Sequence, residues 1–195
     1  MGWTRAFVGV VIVCFALTGC GSLRFVDVPA EIQTERIDHL VIHFTGENFA
    51  ESMRLLSERT EAPVSVHYVV PESDDTSYSR QQLRVHRLVD EERRAWHAGQ
   101  SYWRGVTSLN ARSIGVEIVN TSQCEVVDAS IRESTPENQR CEFLDYDPEQ
   151  LELVADLVLD ILARHPGIDP EDIVGHADVA PARRVDPGPK FPWRD

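Results

Sequence analysis

The strongest periodicity along the chain lies in DPEQLELVADLVLDILARHPG, residues 147 to 167. Leu151, Val154, Val158 and Ile161 recur at helical spacing and predict a helix with that face buried. Asp147 is placed to cap it, Pro148 suits its first turn, and Pro166-Gly167 stop it. A second helix is predicted from GENFAESMRLLSERTEAP, with Asn48 as N-cap, Phe49, Met53 and Leu56 on one face, and Pro63 beyond its end. Between and around them, DHLVIHF (38–44), VSVHYVV (64–70), LRVHRLVD (83–90) and RSIGVEIVN (112–120) are short, β-branched, apolar runs that predict strands. The last alternates cleanly from Ile114 to Ile118. Strands interleaved with two main helices predict an α/β (α+β) domain, a mixed central β-sheet flanked by helices.

The first twenty residues follow a different rule. MGWTRAFVGVVIVCFALTGC has a basic start at Arg5, an apolar run from Ala6 to Leu17 and a small-residue close. This is the layout of a secretory signal, too short for a comfortable membrane span. Its LTGC end resembles the bacterial lipobox, which implies cleavage before Cys20, lipid attachment to the Cys20 sulfur and a membrane anchor. Gly21, rather than Asp, after that cysteine implies forwarding to the outer membrane, with the domain facing the periplasm. The expected organisation is a signal peptide over 1–19, a lipidated Cys and linker over 20–36, and a folded domain over 37–195. Cys124 and Cys141 then remain, and an oxidising compartment favours a disulfide between them over two free thiols. A length of 195 residues fits one such domain, and a formal charge of −13 argues against a nucleic-acid partner. A monomer is expected.

Seven histidines offer candidate chemistry. His39 and His43 share a strand face, but strand rise puts them about 13 Å apart, too far for one metal. His165 ends a helix, where a cation opposes the dipole; His67, His86 and His97 fit core or surface positions equally well. His43 stands apart because it closes an apolar strand, where α/β folds display functional groups. His176 and Asp186 lie in VGHADVAPARRVDPGPKFPW, a segment stiffened by four prolines. That segment is either a rigid surface turn whose charges pair with one another or a loop that holds ligands. Two imidazoles and a carboxylate, with a fourth position open, would make a catalytic zinc site.

Five motifs occur in a fixed order: LVIHFTG (40–46), SVHYVV (65–70), AWHAGQSYWRG (95–105), LNARSIGVEIVN (109–120) and GHADVAPARRVDPGPKFPW (175–193). Together they resemble the zinc-dependent N-acetylmuramoyl-L-alanine amidases of the type-2 amidase domain, relatives of the peptidoglycan recognition proteins and of phage T7 lysozyme. The resemblance runs from Ile37 to Trp193, and the lipobox narrows it to the outer-membrane lipoprotein type. It implies zinc on His43, His176 and Asp186, an essential acid-base glutamate at Glu117, and peptidoglycan or muropeptides as substrate. Trp96, His97, Trp103 and Asn110 match family positions near the glycan and peptide cleft, although core packing accounts for both tryptophans equally well. His67 and Tyr68 are read as structural.

Arg184 departs from the pattern, since these amidases usually carry Lys there. An arginine can steady an oxyanion, but it does not deprotonate at useful pH and cannot be a proton donor. Arg183 sits where the family has Arg and is also read as a structural salt-bridge partner for Asp178. A non-catalytic peptidoglycan-binding lipoprotein is the alternative function, and it would not need the full ligand set.

Overall fold

The computed structural model describes residues 26–61, 63–128, 130 and 138–193. The expected signal peptide, the lipobox-like motif and Cys20 fall outside them. The chain divides into two compact units, Met1–Gln33 and Thr34–Asp195. In the first, residues 26–33 contain no helix or strand; everything below concerns the second.

Its centre is a five-stranded sheet in the order β3-β2-β6-β1-β9. The strands are β1 His39–Phe44, β2 Tyr68–Val70, β3 His86–Arg87, β6 Ser113–Ile118 and β9 Ile173–Gly175. β2, β6, β1 and β9 run parallel, and β3 pairs antiparallel with β2 at the edge. Two small ribbons complete the strands: β4 Tyr102–Trp103 with β5 Val106–Thr107, and β7 Gln123–Val126 with β8 Gln139–Glu142. The mixed sheet with flanking helices matches the expected architecture.

The side-chain alternation of β1 and β6 gives the sheet two unlike faces. Leu40 and Ile42 with Ile114, Val116 and Ile118 form one face. They pack against the helix α2 (Pro148–Arg164) through Val154, Leu157 and Ile161. The opposite face carries Val41 and Val174, which pack against Ala98, Leu109 and the short helix α3 (His176–Val179). The helix α1 (Phe49–Ser57) closes a third cluster with Val66, Val69 and Val119.

Both predicted caps are present: Asn48 accepts from the Glu51 amide, and Asp147 accepts from the Glu149 amide. The buried stripe of α2 is rotated slightly from the predicted one. Gln150, Val154, Leu157 and Ile161 are buried, while Leu151 and Val158 are only half covered. Gln150 faces inward because its Nε2 donates to the carbonyls of Val70 and Val119, at the ends of β2 and β6. Such strand-end acceptors need donors once buried.

Two predicted strands are shorter than expected. Only Tyr68–Val70 of 64–70 joins the sheet, because the Ser65 amide donates to Trp96 O instead of to a strand. Of 83–90 only His86–Arg87 pairs. His165 ends α2 as expected, but its Nε2 lies 2.8 Å from Glu91 Oε2, so a carboxylate partners it in addition to the helix end.

Candidate metal centre

Three ligand-type side chains from distant parts of the chain meet at the C-terminal ends of the parallel strands. β1 delivers His43, and the end of β9 delivers His176 at the first residue of α3. Asp186 comes from the proline-rich loop, which folds back so that its carbonyl accepts the Ala177 amide at 2.7 Å. Gly175 allows this return, since a Cβ there would lie 2.7 Å from Pro187 Cδ. Tyr146 fixes the far side of the loop by donating its hydroxyl to Pro187 O at 2.7 Å.

The three meeting atoms form a nearly equilateral triangle. His43 Nδ1 is 2.9 Å from His176 Nδ1 and 3.0 Å from Asp186 Oδ2, and His176 Nδ1 is 3.1 Å from Asp186 Oδ2. All three residues are buried, with His43 only 1% exposed. Zinc bonds of 2.0–2.1 Å in tetrahedral geometry would set neighbouring ligands about 3.3 Å apart, close to these edges. His176 Nε2 donates to Ala98 O at 3.3 Å, so its neutral ring presents a bare lone pair at Nδ1. Two nitrogens and one oxygen converging in this way suit a borderline cation such as zinc, and His43, His176 and Asp186 are the one trio among the described residues that could hold a metal ion. His39 plays no part, because its Nδ1 lies 2.6 Å from Asp38 Oδ1.

Burial and mutual repulsion lower the His43 pKa to about 4, which keeps that ring neutral at ordinary pH. Burial opposes charge on Asp186, yet the His176 and His43 rings within 3.1 Å of Oδ2 hold its carboxyl well below the usual range. Glu117 is the direct register partner of His43 on β6, so the two side chains stand side by side on one face about 4.8 Å apart. Glu117 Oε2 is buried without a hydrogen-bond partner. Burial, then the nearby Asp186, push its pKa well above the normal carboxylate value, with Arg184 pulling the other way.

Arg184 is exposed and lines two cavities that share the metal-facing wall. The inner one, ≈ 190 Å³, opens between the ligand trio, Glu117 and the apolar side chains Leu55, Leu56 and Val64. The outer one, ≈ 410 Å³, is bordered by Glu47, Arg183 and the β7–β8 hairpin. In that hairpin Cys124 and Cys141 are direct cross-strand partners joined by a disulfide. A larger cavity of ≈ 790 Å³ lies over α2 beside Glu91 and Arg164, away from the ligand trio. There Arg164 pairs with Glu91 and Asp160, whereas the converging ligand-type groups line the smaller cleft.

The residues expected near the cleft divide into two groups. Trp96 is 55% exposed, and the Arg94 guanidinium stacks 4.0 Å above its ring. It borders a further cavity of ≈ 470 Å³ that shares Leu56 and Val64 with the inner one. His97 lines the inner cavity, as expected, and with Asn110 it also braces the ligands. His97 has both ring nitrogens engaged, Nδ1 with His43 Nε2 at 3.0 Å and Nε2 with Ser113 Oγ at 3.2 Å. Asn110 Oδ1 accepts the amides of His97 and Ala98 at 3.0 and 2.7 Å. These groups support the ligands from behind and leave no ring nitrogen of His97 to offer a substrate.

Trp103 is structural: its Nε1 donates to Asp172 Oδ1 at 3.1 Å. Arg183 is structural too, but through the 98–100 loop, where it donates to the carbonyls of Ala98 and Gln100. The expected partner Asp178 instead accepts the Gly175 amide at 2.7 Å. His67 is confirmed as structural, accepting the Gly115 amide at Nδ1 and donating from Nε2 to Arg93 O.

A family model described as N-acetylmuramoyl-L-alanine amidase, type 2, matches residues 33–189. The chain is 36% identical over 200 residues to the N-acetylmuramoyl-L-alanine amidase AmiD of Escherichia coli, which spans 97% of this chain and 66% of AmiD. It is 29% identical over 165 residues to the 1,6-anhydro-N-acetylmuramyl-L-alanine amidase AmpD of the same organism, covering 85% and 72% of the two chains. Among solved structures, Pseudomonas aeruginosa AmpDh3 bound to an anhydromuramic pentapeptide superposes with a TM-score of 0.72 at 36% identity, covering 88% of this chain and 64% of that one. Escherichia coli AmiD, in complex with anhydro-N-acetylmuramic acid-L-Ala-D-γ-Glu-L-Lys, does so with a TM-score of 0.68 at 39% identity, covering 85% and 58%. The chain thus spans somewhat less than two thirds of AmiD and of AmpDh3. With 157 of its 195 residues inside the family match and the motif residues gathered at one buried centre, this chain belongs to the type-2 N-acetylmuramoyl-L-alanine amidase family.

Proposed function

We propose that the protein is a zinc-dependent amide hydrolase of the bacterial cell wall. It cleaves the bond between the lactyl carbonyl of N-acetylmuramic acid, or its anhydro form, and the L-alanine nitrogen of the stem peptide. The observation that carries this reading is the buried His43–His176–Asp186 triangle with Glu117 in register beside it. Family membership and the muropeptides bound to AmiD and AmpDh3 support the substrate class.

When bound, zinc supplies a Lewis acid that polarises the scissile carbonyl and acidifies a water molecule. Glu117 is the base: its unpaired Oε2 takes the proton as the water oxygen bonds to the carbonyl carbon. Its raised pKa makes it a stronger base than a solvated carboxylate, and equally a competent acid once protonated. Glu117 then passes the proton to the departing nitrogen, the C–N bond breaks, and a muramic carboxylic acid and a free L-alanine amine leave. Arg184 contributes a fixed positive charge at the cleft wall for the developing oxyanion. As an arginine it moves no proton, which leaves proton transfer to Glu117.

The LTGC motif and the apolar segment before it support attachment through Cys20 to the outer membrane, with the catalytic unit in the periplasm. The test is digestion of purified sacculi and of an anhydromuramyl peptide by the purified protein, with and without a chelator. Release of free stem peptides that stops with chelator and returns with zinc is the expected result. Retention on sacculi with no release would overturn it in favour of a binding lipoprotein.

A further inference from the structure

Zinc needs a bare lone pair on His43 Nδ1, and a neutral imidazole carries its proton on either nitrogen. For His176 the choice is made by a carbonyl, which can only accept. For His43 the partner is another imidazole: His43 Nε2 faces His97 Nδ1 at 3.0 Å. Two imidazoles facing each other leave the proton undetermined, since either ring can donate. On the Nδ1 side Asp186 Oδ2, at 3.0 Å, would accept a proton there, so a group beyond His97 must hold the proton at Nε2.

That group is Ser113. Its Oγ lies 2.7 Å from Leu109 O, an acceptor only, so the single hydroxyl proton points there. The same oxygen lies 3.2 Å from His97 Nε2 and is left with lone pairs alone, so His97 must donate from Nε2. His97 Nδ1 is then bare and accepts from His43 Nε2–H, which leaves His43 Nδ1 bare toward His176 and Asp186. The other ring near His97 does not interfere. His67 stands 5.7 Å away between centroids, and both its nitrogens are committed to Gly115 N–H and Arg93 O. The whole chain is buried, with Ser113 1% exposed and His97 8%, so bulk water does not compete for these groups.

We propose that Ser113, acting through His97, is a positioning residue that fixes the His43 tautomer for metal binding. The Leu109 carbonyl sets the direction of every proton in the series, so one backbone oxygen prepares a ligand three groups away. Ser113 and Gly115 sit at alternate positions of β6, on the face that receives the His97 ring. Gly115 makes room for the ring, since a Cβ there would lie 2.6 Å from His97 Cγ. The inference rests on the metal reading of the trio but not on the amidase activity.

The test reads protons directly. In metal-free protein at neutral pH, ¹⁵N NMR of the imidazoles should show His43 and His97 each protonated at Nε2; protonation of either at Nδ1 would overturn the proposal without any variant. Ser113→Ala should shift the His43 population toward the Nδ1–H form and weaken zinc affinity about 10–100-fold in chelator competition. Ser113→Thr, which restores the hydroxyl, should recover both. An alanine variant with unchanged tautomer and affinity would overturn the proposal, as would a threonine variant as weak as alanine. The tautomer is measured without metal or substrate, so failure of the hydrolytic reading would leave this result standing on its own.

Discussion

Replacing Gly115 by alanine adds one methyl group at the back of the metal centre. Its Cβ would lie 2.6 Å from His97 Cγ, 2.7 Å from Nδ1 and 2.8 Å from Cδ2. Unstrained contacts between such atoms are about 3.5–4.0 Å, so the ring must retreat by about 1 Å or the strand must bend. The ring has little freedom to retreat, being held to His43 at 3.0 Å, to Ser113 at 3.2 Å and through its own amide to Asn110. Overpacking of this kind costs about 1–3 kcal/mol, and each kcal/mol lowers the melting temperature of a chain this size by about 2–4 °C. Displacing His97 also removes the acceptor for His43 Nε2–H, and loss of such a partner weakens metal binding about 10–100-fold.

Two measurements on one variant therefore test the packing and the ligand argument together. Thermal melting of metal-free Gly115→Ala should fall by roughly 2–12 °C, and zinc competition should show the affinity loss. In a His97→Ala background the same methyl group meets no ring, so its effect on melting should largely vanish while zinc affinity stays low. This coupling is what a double-mutant cycle measures. Wild-type melting and wild-type affinity in the single variant would refute the reasoning, because a 2.6 Å contact cannot be absorbed without movement.

Three further outcomes are expected. Glu91 is opposed by burial, but hydrogen bonds from Arg164, then His165 and Tyr68, bring its pKa down from 4.5 to about 2. A depressed carboxylate stabilises the fold above pH 4.5 and loses that contribution as pH falls toward about 2. The shift converts to about 3 kcal/mol, of which about 2 remains after allowing for its partial solvent contact. In urea unfolding Glu91→Gln should thus be less stable by about that amount at pH 7, and the gap should close near pH 2; an equal gap at both pH values would exclude this account. Glu117→Gln should keep zinc stoichiometry but lose turnover about 10²–10⁴-fold, and wild-type turnover would remove Glu117 as the base. Arg184→Lys should retain turnover, while Arg184→Ala should lose it about 10²–10³-fold; full activity in the alanine variant would show that the charge is not used.

The ligand trio could be read in the sequence because each member has a local marker. His43 ends an apolar strand, and His176 and Asp186 sit in a segment that four prolines make unfit for helix or central strand. The caps Asn48 and Asp147 were legible because capping is decided within three residues. β9 was not, since three residues, Ile173–Gly175, show no period, and only pairing with β1 makes them a strand. The inward turn of Gln150 depends on carbonyls 80 and 31 residues away. His97 and Asn110 were placed near the cleft by resemblance; their hydrogen bonds to His43, Ser113 and two backbone amides could not be read from the sequence. One signal did point to the packing of His97. A small-x-small pair, Ser113 and Gly115, inside a strand marks a close approach by another group.

A parallel strand buried on both faces ordinarily reads as continuous hydrophobic sequence. β1 and β6 do not: HLVIHF and SIGVEI place His39, His43, Ser113, Gly115 and Glu117 on alternate positions, with Leu40, Ile42, Ile114, Val116 and Ile118 between them. The intervening residues are held against α2 by the hydrophobic effect, and that packing fixes the register. A slip of one residue would turn Glu117 into the apolar core and bring Val116 or Ile118 beside His43. The pairing of base and ligand is therefore specified by the core on the opposite face of the sheet, which touches neither of them. Substitutions that loosen the contact between α2 and β6 should accordingly impair the metal centre through register before they remove any ligand.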